Sequence, residues 1–225
     1  MFNVNRGSIN PPDCTKQKGY NTEAIVKALE KLFYGKCYLC EQSALADPEI
    51  EHFTPHNNQD AIKYKWSNLY YSCSRCNSIK GSKHVNLLDC CDSATDVFKA
   101  IRIYLPTVTS ENVIVIPVDK DDKKSLNTAE LLHQCYNERA TGLRGITRSA
   151  LIEKMQGEYL HLLIQAYKVK DHRTTPNEAA ESAERIQLML EDNYPFSAIW
   201  RWFVIGDENL RKKLPDNFNY PIVDG

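Results

Sequence analysis

Cys37 and Cys40, then Cys73 and Cys76, form two Cys-x2-Cys pairs separated by 32 residues. At this spacing a turn brings both sulfurs to one side of the backbone, so two pairs can surround one tetrahedral Zn2+ with four thiolates. The intervening stretch is too long for a simple zinc ribbon. It contains Ile50-Glu51-His52-Phe53-Thr54-Pro55-His56 and Trp66-Ser67-Asn68-Leu69, and Asn77 follows the last cysteine directly. An imidazole titrating near neutrality, here His52, takes a proton from water. The Glu51 carboxylate and the Asn77 amide are hard oxygen donors of the kind Mg2+ prefers, with the remaining positions left to waters and a phosphate. A deprotonated water in line with the P–O bond, and a cation for the charge on the leaving oxygen, are what phosphodiester hydrolysis requires. The bland readings are cysteines paired by chance and a zinc module without catalysis. Two matched pairs, and base, amide and acid together, favour the chemistry.

Taken together, Cys37-x2-Cys40, Ile50-Glu51-His52, Trp66-x-Asn68-Leu69 and Cys73-x2-Cys76-Asn77-x2-Lys80-Gly81 resemble the zinc-stapled HNH endonucleases over about residues 30 to 85. The resemblance implies a ββα-metal fold that grips one catalytic ion, Mg2+ or Mn2+, beside a separate structural zinc on the four cysteines. It makes His52 the general base, Asn68 the central asparagine that orients it, Glu51 and Asn77 ligands of the catalytic ion, and DNA the substrate. Glu51 stands where Asp is usual and Asn77 where a final His often stands, which leaves open whether Glu51 holds the ion directly or through water. Neighbouring strand residues point to opposite faces, so Glu51 and His52 share a site only if the strand ends or bulges there, and Pro55 suggests an early end. Arg75, Lys80, Lys83 and His56 are the expected phosphate contacts, with ordinary solvated charge and a loop histidine as the alternatives. Tyr70 and Tyr71 either stack on bases or pack against the knuckle.

The 225-residue chain is 42% hydrophobic and 25% charged, values of a soluble globular protein. Its longest apolar stretch, Ala198 to Ile205, is interrupted by Arg201 and too short to span a bilayer. Met1-Phe2-Asn3-Val4-Asn5-Arg6 lacks the pattern of a secretory signal, so a cytoplasmic location is expected. In that compartment eight cysteines read as metal ligands rather than disulfides, and Cys14, Cys90, Cys91 and Cys135 as structural or incidental thiols. A net charge of −1 argues against nonspecific coating of nucleic acid. Contact with DNA should therefore be local, or helped by a partner.

The elements that must position these residues follow from caps and periodicity. Asn21 or Thr22 caps a helix with Ile25, Val26, Leu29, Leu32 and Phe33 at helical spacing, ended by Gly35. Glu49 to Thr54 reads as a strand, Asn57 to Lys65 as a short helix or loop, and Cys73 to Lys80 as a helix stopped by Gly81. Beyond Cys91 the chain turns helical, with Val113 to Val118 the one strong strand candidate. Asp119 to Lys124 reads as a charged turn. Helices are expected from Asn127 or Thr128 to Tyr136, from Leu143 to Val169, from Pro176 to Asn193, and after Pro195. Phe196, Trp200, Trp202 and Phe203 read as core. The expected architecture is α+β but mostly α: an HNH module over residues 1–92 and a helical region over 93–225.

Asn127-Thr128-Ala129-Glu130-Leu131-Leu132-His133-Gln134-Cys135-Tyr136-Asn137 and Thr141-Gly142-Leu143-Arg144 are similar to the helical part of the PtuB family, the HNH component of bacterial Septu anti-phage systems, relatives of which accompany some retrons. This implies a bacterial defence nuclease docked through its helical region to a PtuA-like ABC-type ATPase, with no membrane association. A stand-alone restriction-type HNH enzyme and a noncatalytic zinc-bound binding or scaffold module remain open at this point.

Overall fold

The computed structural model describes residues 1–108, 110–139 and 145–214. Helix α1, Glu23–Leu32, is capped by Thr22, whose hydroxyl accepts from the Ile25 N–H. Ile25, Leu29 and Leu32 are buried along one stripe, and Gly35 at φ +66° supplies the left-handed exit. Strand β1, Pro48–His52, pairs antiparallel with β2, Leu69–Cys73, in a register that sets Glu51 opposite Tyr70 and His52 opposite Leu69. Between them lie the short helix α2, Asp60–Lys63, and a 3-10 turn, Trp66–Asn68. Helix α3, Ser74–Lys80, follows β2 without a loop and ends at Gly81. Every residue of β2 is buried, because α1 and α3 both pack on the hairpin.

Helix α4, Val97–Ala100, leads into β3, Ile101–Tyr104, which pairs antiparallel with β4, Ile114–Pro117. The sequence marks β4 but not its partner. Ile101 and Ile103 alternate with Arg102 and Tyr104, a period-2 signal only four residues long. Helix α5, Lys123–Asn137, starts one turn earlier than expected, because Asp122 accepts from the Lys124 and Ser125 N–H groups and makes the charged turn a cap. Helix α6, Arg148–Lys170, is capped by Thr147; the earlier start expected at Leu143 lies outside the described residues. Helix α7, Pro176–Met189, has Pro176 in its first turn behind a Thr175–Glu178 capping box. Helices α8, Ser197–Gly206, and α9, Glu208–Arg211, complete the described chain. The protein is thus α+β with two small sheets, and among the described residues no helix is long and apolar enough to cross a membrane.

One buried apolar cluster runs from Met1 to Leu214 through both regions. Phe196, Trp200 and Trp202 are buried as expected, and each indole N–H finds a carbonyl: Trp200 at Pro195 and Trp202 at Ile101. Polar contacts weld the helical region to the first cysteine knuckle. Lys36 and Glu41, both fully buried, form an ion pair at 3.4 Å, and Lys36 Nζ also donates to the Tyr194 carbonyl while Ser197 Oγ donates to Glu41.

Candidate metal centre and catalytic cleft

The first cysteine pair sits on a turn closed by Glu41 N–H donating to the Cys37 carbonyl at 2.9 Å and Cys37 N–H donating to that of Gln42 at 3.0 Å. Tyr38 N–H donates to the Tyr71 carbonyl, which fixes this turn to β2. The second pair straddles the junction of β2 and α3, where Cys73 caps the helix and its sulfur accepts from the Cys76 N–H. All four sulfurs lie within 4.8 Å of one another, with Cys40 and Cys73 3.9 Å apart. A tetrahedral ZnS4 centre needs sulfurs roughly 3.8 Å apart, so the residues fit the ion. Electrostatics lead to the same place. Burial raises the Cys37 thiol, but hydrogen bonds from Cys40, Cys73 and Cys76 outweigh it and hold Cys37 well below its ordinary value. Cys40 is driven well above by burial and by its contact with Cys37. A dication at the centre of the cluster would stabilise thiolates that burial disfavours.

Asp89, Cys90 and Cys91 form the other group of close ligand atoms among the described residues. There Asp89 Oδ1 already accepts from the Tyr70 hydroxyl and the Cys91 N–H. Tyr70 is thereby a packed residue, and neither it nor Tyr71 is exposed for stacking.

A cleft of about 410 Å3 lies at the loop end of the hairpin, and Glu51, His52, His56 and Asn77 all line it. β1 ends at His52, which resolves the opposite-faces difficulty. Glu49 and Glu51 share the strand face that α3 covers: Glu49 accepts from Asn77 Nδ2, and Glu51 Oε1 accepts from Lys80 Nζ at 2.5 Å. His52 leaves from the terminus and is only half-buried. Its Nε2 lies 2.9 Å from the Lys63 carbonyl. A carbonyl only accepts, so Nε2 carries the proton and Nδ1 keeps the lone pair that a base requires. Burial, reinforced by the neighbouring His56, pulls the His52 pKa below its ordinary value and keeps the ring neutral. Burial also pushes Glu51 up to about 7, with the Lys80 ammonium offsetting part of the rise.

Several expectations need correction. The Asn68 amide does not reach His52. It accepts from Thr54 N–H at 2.8 Å and donates to the carbonyls of Thr54 and Ile62, so it pins the two segments on either side of His52. The contact that orients the ring is the Lys63 carbonyl. Arg75 is fully buried and donates to the carbonyls of Cys135 and Glu138 at the end of α5, where no phosphate reaches it. Lys80 is equally buried, donating to Glu51 and to the His52 carbonyl at 3.0 Å. Both were expected at a phosphate because the sequence shows only that each cation lies on the helix, not which way it turns. Lys83 is exposed just past α3. His56 Nδ1 accepts from the Asn58 N–H at 3.0 Å, so a neutral ring carries its proton on Nε2.

Sequence reasoning overlooked three participants. Glu49 was within reach, being two residues from Glu51 and hence on the same strand face. Tyr20, whose ring stands 4.7 Å from that of His52, and the backbone carbonyl of Lys63 leave no local signature.

Among the side chains lining the cleft, the Glu51 carboxylate and the Asn77 amide oxygen are hard donors, since Asn77 Nδ2 is committed to Glu49. This hard pair suits a cation such as Mg2+ that keeps most of its waters.

Comparison with curated proteins finds similarity to Septu PtuB over part of the chain. The chain is 35% identical over 75 residues to Septu protein PtuB of Bacillus mycoides strain KBAB4, covering 27% of this chain and 25% of that protein. It is 25% identical over 157 residues to Septu protein PtuB of Bacillus thuringiensis, covering 57% of this chain and 60% of that protein. The matches therefore span about a quarter and about three fifths of these relatives' lengths. No family model matches the chain, and no solved structure does.

Proposed function

We propose that the chain is a metal-dependent endonuclease of HNH type that hydrolyses phosphodiester bonds in DNA. The observation that carries this reading is His52 in the cleft: Nε2 is committed to the Lys63 carbonyl, Nδ1 retains a lone pair, and Glu51 and Asn77 line the same space. The order β1, β2, α3 with the cysteines at its base supports a ββα-metal module.

His52 Nδ1 takes one proton from a water as that oxygen bonds to phosphorus. The bond from phosphorus to the leaving oxygen breaks, and that oxygen takes its proton from solvent. Glu51 and Asn77 would hold a divalent ion, whose chemistry is to neutralise charge on the leaving oxygen. Asn68 acts at a distance, keeping the His52 segment and the α2 segment in register. His56 Nε2–H and the Lys83 ammonium are donors for phosphate oxygens. The four cysteines hold a structural zinc that fixes β2 and α3 beneath the cleft.

The likeness to Septu PtuB proteins supports a role as effector of a bacterial anti-phage system, located in the cytoplasm. In this reading residues 1–92 carry the chemistry, and 93–225 brace it and dock a PtuA-like ABC-type ATPase. The test is Mg2+-dependent cleavage of plasmid DNA by the chain, alone and copurified with the ATPase encoded beside it, against His52→Ala. Cutting that requires His52 is expected. Its absence in both states, from protein that holds zinc, overturns the nuclease reading, and equal cutting without the ATPase removes the partner.

A further inference from the structure

With Arg75 and Lys80 turned inward, few cations remain to hold a strand at the cleft, and the net charge is −1. The cleft wall offers another source of affinity. Tyr20 lines it, edge-on to His52 at 4.7 Å between ring centroids. Tyr64, the residue after α2, stands 6.1 Å from Tyr20, and both rings are partly exposed. Lys63 Nζ lies 5.8 Å from one ring centroid and 5.6 Å from the other, so one ammonium is shared by two aromatic rings. The same residue's carbonyl holds His52. Base, cation and two aromatic rings are thus tied to one short segment.

Aromatic rings interleaved with a cation recognise unpaired bases, because every base offers a π-face while the ammonium follows the phosphates. A duplex hides those faces and is held mainly through phosphate contacts, of which this cleft has few. We infer that Tyr20, Tyr64 and Lys63 form a stacking platform for a single nucleic-acid strand, making unpaired strand the preferred substrate of the cleft. This rests on the proposed phosphodiesterase reading for its consequence, but the binding it describes is measurable without cleavage.

The experiment uses His52→Ala protein and fluorescence anisotropy with one labelled DNA strand, the RNA strand of the same sequence, and the DNA duplex, at a fixed salt concentration. At least one single strand should bind about tenfold more tightly than the duplex, and the two sugars show which strand is preferred. Tyr20→Leu and Tyr64→Leu should each weaken single-strand binding about tenfold, while Tyr20→Phe and Tyr64→Phe retain it because the ring is kept. Zinc content, unchanged in all four, reports that they are folded. Duplex binding equal to or tighter than both single strands overturns the inference, as does a Phe variant losing as much as its Leu counterpart. If wild-type protein cleaves nothing yet still binds single strands through these rings, the nuclease reading fails and the platform stands.

Discussion

The cysteine cluster and the cleft are built on opposite principles within one hairpin and helix. At the cysteine centre four identical soft donors converge from two turns, all buried, with the Ser72 hydroxyl 3.7 Å from the Cys37 sulfur. At the cleft the donors are hard, mixed and few, and most are already engaged: Glu51 with Lys80, Asn77 with Glu49, His52 with the Lys63 carbonyl. The first arrangement gains by permanence. The second is an open space whose groups are held in place by their neighbours. If the closed cluster stabilises the fold and the open cleft does chemistry, as proposed, perturbing each should have separable consequences.

The largest effect is expected at the closed site. Cys73→Ser should lose the zinc, and because structural zinc contributes on the order of 10 kcal/mol in small modules, the variant should fail to fold cooperatively in thermal denaturation. A Cys73→Ser protein that unfolds like wild type would show that the cluster does not hold the fold. At the open site His52→Ala should reduce cleavage by about 10²- to 10⁴-fold, with melting temperature and zinc content unchanged. A simultaneous loss of zinc would mean that the two regions are not separable.

Between these extremes lies the Glu51–Lys80 pair, which is buried like the first site yet lines the second. Lys80→Met leaves the Glu51 carboxylate buried without its cation and should cost about 3–5 kcal/mol in denaturant unfolding. Adding Glu51→Gln should recover most of it. The same pair sets a pH response. Glu51 is raised from 4.5 to about 7 by burial, so in ion-free protein its contribution to stability is fully present below pH 4.5 and is lost as pH rises through about 7. Binding of a divalent ion requires the carboxylate, so Mg2+ affinity and cleavage should increase up to about pH 7 and level off above it. His52 is already neutral at lower pH and should not set that limb. Retention of both pH responses in Glu51→Gln would assign them elsewhere. The smallest effect is expected from Lys83→Ala, where removing one exposed cation should lower the salt slope of DNA binding by about one and leave the fold untouched.

The residues of the two sites were legible because their chemistry depends on type and spacing. Two cysteine pairs form a cluster fit for a soft metal whatever the fold around them, and Glu51, His52 and Asn77 do line one cleft, while Asn68 braces the loop beside it. Local caps were legible for the same reason: Thr22 and Pro176 mark helix starts through groups within one turn. Asp122 was missed as a cap because a run of charges reads equally as a turn.

Tertiary structure decided everything that depends on direction. Arg75 and Lys80 are the second and the last residues of α3, and nothing local says that one guanidinium seals the end of α5 while the other cation neutralises Glu51. That choice follows from what packs against α3. The roles of Asn68, Lys63 and Tyr20 likewise arise from contacts across the loop between β1 and β2, one through side-chain amides on backbone, one through a carbonyl, one through a ring brought from the chain's beginning. Backbone groups and long-range ring contacts carry no residue-type signal. The sequence by itself determined which reactive side chains this protein carries; the packing of helix, hairpin and loop decided which of them face the cleft, because orientation is a property of the folded surroundings and not of the residue.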